Sequence, residues 1–173
     1  TERYLQLSRQ GRAAFLGAAA PAALVRRRDA QTGEWTHVSR TRLPTNDEDT
    51  IAIGAGPRGD SEPAGEIEVF PLLKKPGASF PELITIGRTD NNDIVLKDVT
   101  VSRFHAFFRQ REAAWVVGDA GSKNGTQLEG ADLEARKEVP VKSGANVRIG
   151  DLEVTFYTAD QLFDVLVANG RKP

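Results

Sequence analysis

The sequence predicts an all-β sandwich with a small α+β extension at its N-terminus and a short helix at its C-terminus. Three observations carry this. From residue 66 onward, short apolar runs rich in β-branched and aromatic residues recur at close spacing. Turn signals separate them: Asn91-Asn92-Asp93, Asn124-Gly125, Glu129-Gly130, Ser143-Gly144 and Gly150-Asp151. Charge also divides the 173 residues into unlike parts: residues 1–42 are net +5, residues 43–68 net −6, and residues 69–173 neutral.

The elements follow in order. A helix over about 9–19 is expected, opened by Ser8 as N-cap and stopped before Pro21. Ala22 to Arg28 and Trp35 to Leu43 read as strands around a Gln31-Thr32-Gly33 turn, and Thr50 to Ile53 as a weaker one. Residues 43–68 are acidic and punctuated by Pro57, Gly59, Pro63 and Gly65, the composition of a linker or exposed loop. The expected division is an extension over 1–60, a sandwich over 61–158 and a helix with tail over 159–173. Within the sandwich, strands are read at 66–73, 83–87, 93–96, 105–110, 115–119, 126–128, 139–141, 146–149 and 152–157. Alternation is clearest where Leu152, Val154 and Phe156 share one face. Phe104, Ala106 and Phe108 are expected to do the same, and Trp115 to be core. Leu162, Phe163, Leu166 and Val167 form a helical stripe over 159–167, ended by Gly170.

Composition excludes several classes of function. Cysteine is absent, which removes disulfides, thiolate nucleophiles and Cys-based metal centres. Two histidines nearly exclude an all-His site, so no metal and no cofactor is expected. Methionine is also absent, so Thr1 is not read as a retained initiator. The net charge of −1 gives no global field for nucleic acid or anionic membrane. Arg26-Arg27-Arg28 is only three charges long and ends a predicted strand, so it reads as a solvated edge, and no nucleic-acid partner is expected. No apolar run approaches the roughly 20 residues of a membrane span. The stretch from Arg9 to Val25 imitates a secretory signal, but alanine dominates it and a helix explains the same letters. A cytoplasmic location without membrane attachment is the expectation. Arg at 16 against Lys at 7 points to a GC-rich bacterial genome. Nothing in the sequence assigns an oligomeric state.

Three inter-strand loops hold unusual polar residues. Gly87-Arg88 follows one strand, Ser102-Arg103-Phe104-His105 precedes another, and Ser122-Lys123-Asn124-Gly125 lies between two more. Alternate loops of a sandwich gather at one end. Gathered there, Arg88, Arg103 and Lys123 would present fixed cations, with the Ser102 hydroxyl and the Asn124 amide beside them. That set suits a phosphate monoester: Arg grips two oxygens, Lys adds a point charge and Ser donates one hydrogen bond. Asn124 both donates and accepts, which suits a peptide backbone better. Taken singly, each residue has a plainer explanation. Asn124-Gly125 is a common hairpin turn, His105 a structural residue, and a lone surface Arg is solvated.

In this order and spacing, Ile86-Gly87-Arg88, Asn92-Asp93-Ile94, Ser102-Arg103-Phe104-His105 and Gly121-Ser122-Lys123-Asn124-Gly125-Thr126 resemble the forkhead-associated (FHA) domain over about residues 66–158. The resemblance implies an eleven-stranded β-sandwich that binds phosphothreonine peptides through loops at one end. It implies that Arg88, Ser102, Arg103 and Lys123 contact the phosphate or its flanking backbone, and that Asn124 holds the peptide backbone. Gly87, His105 and Gly125 would shape the loops. The expected function is a phosphothreonine-dependent adaptor in Ser/Thr kinase signalling, its partner a kinase or a kinase substrate. The alternative is a phosphate-independent scaffold that docks through the N-terminal extension. No catalytic residue is expected. Ser102, His105 and Asp119 occur in the order of one hydrolase triad, but Ser102 and His105 stand three apart at one loop-to-strand junction. No Gly-x-Ser-x-Gly elbow and no GxxxxGK[ST] loop is present, and Gly54-Ala55-Gly56 lacks a third glycine.

Overall fold

The structure is a computed structural model that describes residues 1–28, 35, 66–112 and 114–170. Among these residues eleven strands form two sheets, packed face to face. The first has the order β2 (Ile67–Pro71), β1 (Ala22–Arg27), β11 (Leu152–Thr158), β10 (Asn146–Ile149), β7 (Thr126–Leu128), β8 (Ala131–Asp132). The second has the order β4 (Ile94–Val95), β3 (Ile84–Gly87), β5 (Ala106–Arg111), β6 (Ala114–Asp119), β9 (Glu138–Val141). All pairings are antiparallel except β3 with β4. This is the all-β sandwich that the alternation predicts.

The inner faces interdigitate as alternating strands require. Leu152, Val154 and Phe156 enter the core from β11, and Phe108, Trp115 and Val117 meet them from β5 and β6. Phe108 stacks on Phe156 with ring centroids 5.7 Å apart, and Trp115 tilts against the same ring. Phe104 departs from its expected place. It lies half-buried outside this core and stacks on Phe80, because the β5 ladder starts at Ala106 and leaves residue 104 in the preceding loop.

A second core lies on the other side of the first sheet. Helices α1 (Glu2–Arg9), α2 (Arg12–Ala18) and α3 (Ala159–Gly170) cover it, with Tyr4, Phe15, Leu162 and Leu166 buried against Ala23, Val25, Ile67 and Val69. Arg12 bridges α2 to Asp160 and Asp164 of α3 and lies over the Phe163 ring. The expected single helix over 9–19 is therefore corrected to two. Gly11, at φ +97°, breaks them apart, and Ser8 caps neither: its hydroxyl donates back to Leu5 O inside α1.

The expected boundary near residue 60 is corrected for one element. Strand β1 pairs with β2 on one side and β11 on the other, so residues 22–27 belong to the sandwich. Its run Ala22-Ala23-Leu24-Val25 is apolar on both faces because it divides two cores: Ala22 and Leu24 face one, Ala23 and Val25 the other. Strand β8 was not expected, and α3 extends through Gly170. The expected strands from Trp35 to Leu43 and Thr50 to Ile53 lie outside the described residues apart from Trp35, which bridges Arg28. Most of the acidic 43–68 segment lies outside them too.

Candidate functional site

The β3–β4, β4–β5 and β6–β7 loops meet at one end of the sandwich, stitched together by their own polar groups. Arg88 N–H donates to Ser102 O at 2.9 Å, and Arg103 O accepts from Asn92 Nδ2 at 2.6 Å and Thr89 Oγ1 at 2.9 Å. These bonds fix the first loop to the second. Lys123 N–H donates to Ser102 Oγ at 3.0 Å, and Asn124 Nδ2 to Thr100 O at 2.7 Å, which fixes the third.

All the expected residues therefore sit on one loop cluster. Arg88, Arg103 and Lys123 are exposed, and among the described residues none of the three has an acidic partner. Ser102 is half-buried. Its oxygen accepts from Lys123 N–H, so its hydroxyl hydrogen is left to donate outward. Asn124 commits its NH₂ to the Thr100 carbonyl, tying the turn to the second loop. Three exposed cations thus stand on backbone that the loops' own hydrogen bonds tie together.

Beneath them, His105 is fully buried. Nδ1 accepts from Ser102 N–H at 2.9 Å and Nε2–H donates to Gly125 O at 3.0 Å, an arrangement that requires the neutral ring. Burial lowers its pKa below the ordinary 6.5, outweighing the opposing pull of the Gly125 carbonyl and the Asp119 charge. A proton on Nδ1 would point at the Ser102 N–H. The unfolded chain takes up that proton more readily, so this stabilisation is complete above pH of about 6.5 and lost as pH falls through the lowered folded value. Urea melts between pH 7.5 and 5 should show this loss, and His105→Gln should flatten the slope. An unchanged slope in that variant would remove His105 as its source.

Asp119 organises the third loop. Its buried carboxylate accepts from Gly121 N, Ser122 N, Ser122 Oγ and Thr126 Oγ1 at 2.6–2.8 Å. Burial pushes its pKa up, and these four bonds together hold it below the usual carboxylate range. Ser102, His105 and Asp119 are thus not wired as a triad: His105 meets the Ser102 backbone and not its hydroxyl, and Asp119 serves its own loop. Asp93 plays the matching part beside the first loop, accepting from Lys74 Nζ, Lys75 N, Thr85 N and Thr85 Oγ1. Among the described residues, no cluster of three or more His, Asp or Glu side chains is placed to hold a metal.

The structure adds one organiser that the sequence reading missed. Thr100 takes Asn124 Nδ2 on its carbonyl and Asp151 N–H on Oγ1, while its own N–H and hydroxyl donate to Asp98 Oδ1. Gly150 packs against its carbonyl, where an added Cβ would lie 2.8 Å away. The Asp98-Val99-Thr100 spelling is an Asx-turn signal that could have pointed to it.

Comparison with known proteins places the chain among relatives. The family model described as FHA domain matches residues 84–150, which contain Arg88, Ser102, Arg103, Lys123 and Asn124. Over 128 residues the chain is 33% identical to the oxoglutarate dehydrogenase inhibitor of Corynebacterium diphtheriae, covering 71% of this chain and 87% of that protein. Over 67 residues it is 43% identical to the FHA domain-containing protein FhaB of Mycolicibacterium smegmatis, covering 39% of this chain and 42% of that one. Among solved structures it is similar to the N-terminal FHA domain of Saccharomyces cerevisiae Rad53p in complex with a phosphothreonine peptide. There the identity is 19%, the TM-score 0.46, and the coverage 57% of this chain and 90% of that one.

Proposed function

The chain belongs to the FHA-domain family, and from that premise we propose that it is a phosphothreonine-dependent protein-binding adaptor in Ser/Thr kinase signalling. The observation that carries this reading is the set of cations Arg88, Arg103 and Lys123, without an acidic partner among the described residues, on loops locked to one another around Ser102. A phosphorylated threonine brings nearly two negative charges and three acceptor oxygens. Arg88 and Arg103 offer planar forks, Lys123 a point charge and Ser102 a hydroxyl donor. Asn124, at the rim, is assigned to the peptide backbone, while Gly87, His105 and Gly125 hold the loops in place. The partner is a phosphothreonine-containing protein, a kinase or a kinase substrate, met in the cytoplasm. The relationship to a protein named for inhibiting oxoglutarate dehydrogenase makes a metabolic enzyme a reasonable downstream target. The site binds and does no chemistry on its ligand.

The test is a titration with a degenerate phosphothreonine peptide library, with phosphoserine and unmodified threonine libraries as controls. Selective binding of phosphothreonine is expected. Arg88→Ala should weaken it by about 1–3 kcal/mol, roughly five- to 150-fold, the scale of a lost charge-assisted hydrogen bond. Affinity should also fall with added salt, because the contact is ionic and partly exposed. Equal binding of the unmodified library would overturn the reading in favour of phosphate-independent docking. An unchanged affinity in the Arg88 variant would overturn the site assignment.

A further inference from the structure

The turn between β10 and β11, Gly150-Asp151, is none of the three loops that carry the site, yet it is bonded on both sides of Asn124. Gly150 N–H donates to Gly125 O at 3.2 Å, one residue after Asn124 in the chain. Asp151 N–H donates to Thr100 Oγ1 at 3.0 Å, and Thr100 O accepts from Asn124 Nδ2 at 2.7 Å. These contacts close a ring through Thr100, Asn124, Gly125, Gly150 and Asp151. Thr100 is also held from its own loop, where its N–H and its hydroxyl donate to Asp98 Oδ1 at 2.8 and 2.6 Å. Three bonds besides the one to Asn124 therefore aim the Thr100 carbonyl. Gly150 sets how closely the turn approaches. It sits at φ +62°, and an added Cβ would lie 2.8 Å from both Thr100 O and Thr100 Oγ1.

Ser102 and Arg88 hang on other supports. Val101, between Thr100 and Ser102, is buried in the sandwich core, and Ser102 N–H is taken by His105 Nδ1. Arg88 N–H in turn bonds Ser102 O. The ring thus acts on Asn124 and leaves the residues assigned to the phosphate to a separate set of bonds.

We propose that Thr100 is a positioning residue for phosphopeptide binding: braced by the β10–β11 turn and by Asp98, its carbonyl holds the Asn124 side chain in the orientation that receives the peptide backbone. The proposal rests on the reading of Asn124 as the residue that takes that backbone. An amide whose NH₂ is tied to a fixed carbonyl keeps one rotamer, so it has less freedom to lose when a peptide binds. The Thr100 hydroxyl is the joint of the device, since it donates to Asp98 and accepts from the turn at once.

The experiment measures affinity for one phosphothreonine peptide drawn from the library, with urea melts to show that each variant is folded. Thr100→Val removes the hydroxyl and both of its bonds. It should weaken binding about five- to tenfold, the scale of a lost hydrogen bond. Thr100→Ser keeps both bonds and should restore affinity to within about twofold of the wild type. The decisive comparison is between backgrounds. Combined with Asn124→Ala, Thr100→Val should add less than about twofold, because the side chain that it positions is gone. Combined with Arg88→Ala, it should keep its full effect. Gly150→Ala leaves the hydroxyl in place and crowds the Thr100 carbonyl, so it should show the same dependence on Asn124. Equal losses in the Asn124 and Arg88 backgrounds would mark Thr100 as merely structural and overturn the proposal, as would an unchanged affinity in Thr100→Val. A wild type that does not distinguish phosphothreonine from threonine would instead overturn the functional reading beneath it.

Discussion

Asp119→Ala should destabilise the fold by about 3–5 kcal/mol and abolish measurable phosphopeptide binding together with it. The carboxylate is 3% exposed and satisfies two backbone N–H groups and two hydroxyls. Alanine would strand Gly121 N and Ser122 N at the root of the third loop, and Thr126 Oγ1 in a fully buried position. The loop that presents Lys123 and Asn124 would lose the anchor that shapes it. Asp119→Asn is the informative companion. Its Oδ1 can still take the two backbone donors, and the two hydroxyls can rotate to accept from its NH₂, so it should lose about half as much. Urea melts at neutral pH give both numbers. The folded carboxylate has a lowered pKa, so its contribution is complete above the ordinary carboxylate range and is lost as pH falls through the folded value. The gap between wild type and the Ala variant should accordingly narrow below pH of about 4. A loss under about 1 kcal/mol at pH 7 would show that the loop holds its shape without this carboxylate.

Gly87→Ala should be the second most damaging change, for a steric reason. The residue does not have a positive φ, so alanine is conformationally allowed there. Space is the obstacle: an added Cβ would lie 2.1 Å from Arg103 O and 2.7 Å from Asn92 Nδ2. Arg103 O is the acceptor that joins the first loop to the second, so relieving the clash separates Arg88 from Arg103. The expected cost is about 2–3 kcal/mol of stability and more than a tenfold loss of phosphopeptide affinity. Gly125→Ala serves as the contrast. It sits at φ +77° with nothing within 4 Å of the added carbon, so it should cost only the local backbone strain, about 1 kcal/mol. Equal effects at the two glycines would show that close packing is not what reserves position 87 for glycine.

The parts of the fold legible in the sequence were those written in local chemistry. Alternation placed β11, where Leu152, Val154 and Phe156 are buried and Glu153, Thr155 and Tyr157 between and beyond them are only half-buried. The loop cations and Ser102 were legible because several charged and polar residues interrupt a strand-rich pattern at turn positions. What failed was non-local. Strand β1 was recognised, but its partner β11 lies about 130 residues away, and no local pattern announces such a pairing. The first helix escaped because the eight residues Glu2–Arg9 have little intrinsic stability and form against α2 and α3. Strand β8 is two residues long and exposed, with no apolar signature. Phe104 leaves the parity of Ala106 and Phe108 because the β5 ladder starts only at Ala106. Thr100 was missed because each of its four bonds is ordinary, and only the folded chain shows them converging.

The double-sided burial of β1 has a consequence for where this protein can be divided. The residues that match the family model, Arg88, Ser102, Arg103, Lys123 and Asn124 among them, lie from residue 84 onward. A fragment begun at residue 66 would keep every motif. It would also lose the strand that joins β2 to β11, leaving β2 without its ladder and β11 with an unpaired, sticky margin. Tyr4 and Phe15 would go with it, uncovering Leu162 and Leu166. The shortest piece that carries the binding signature is thus smaller than the shortest piece that can bury its own surface.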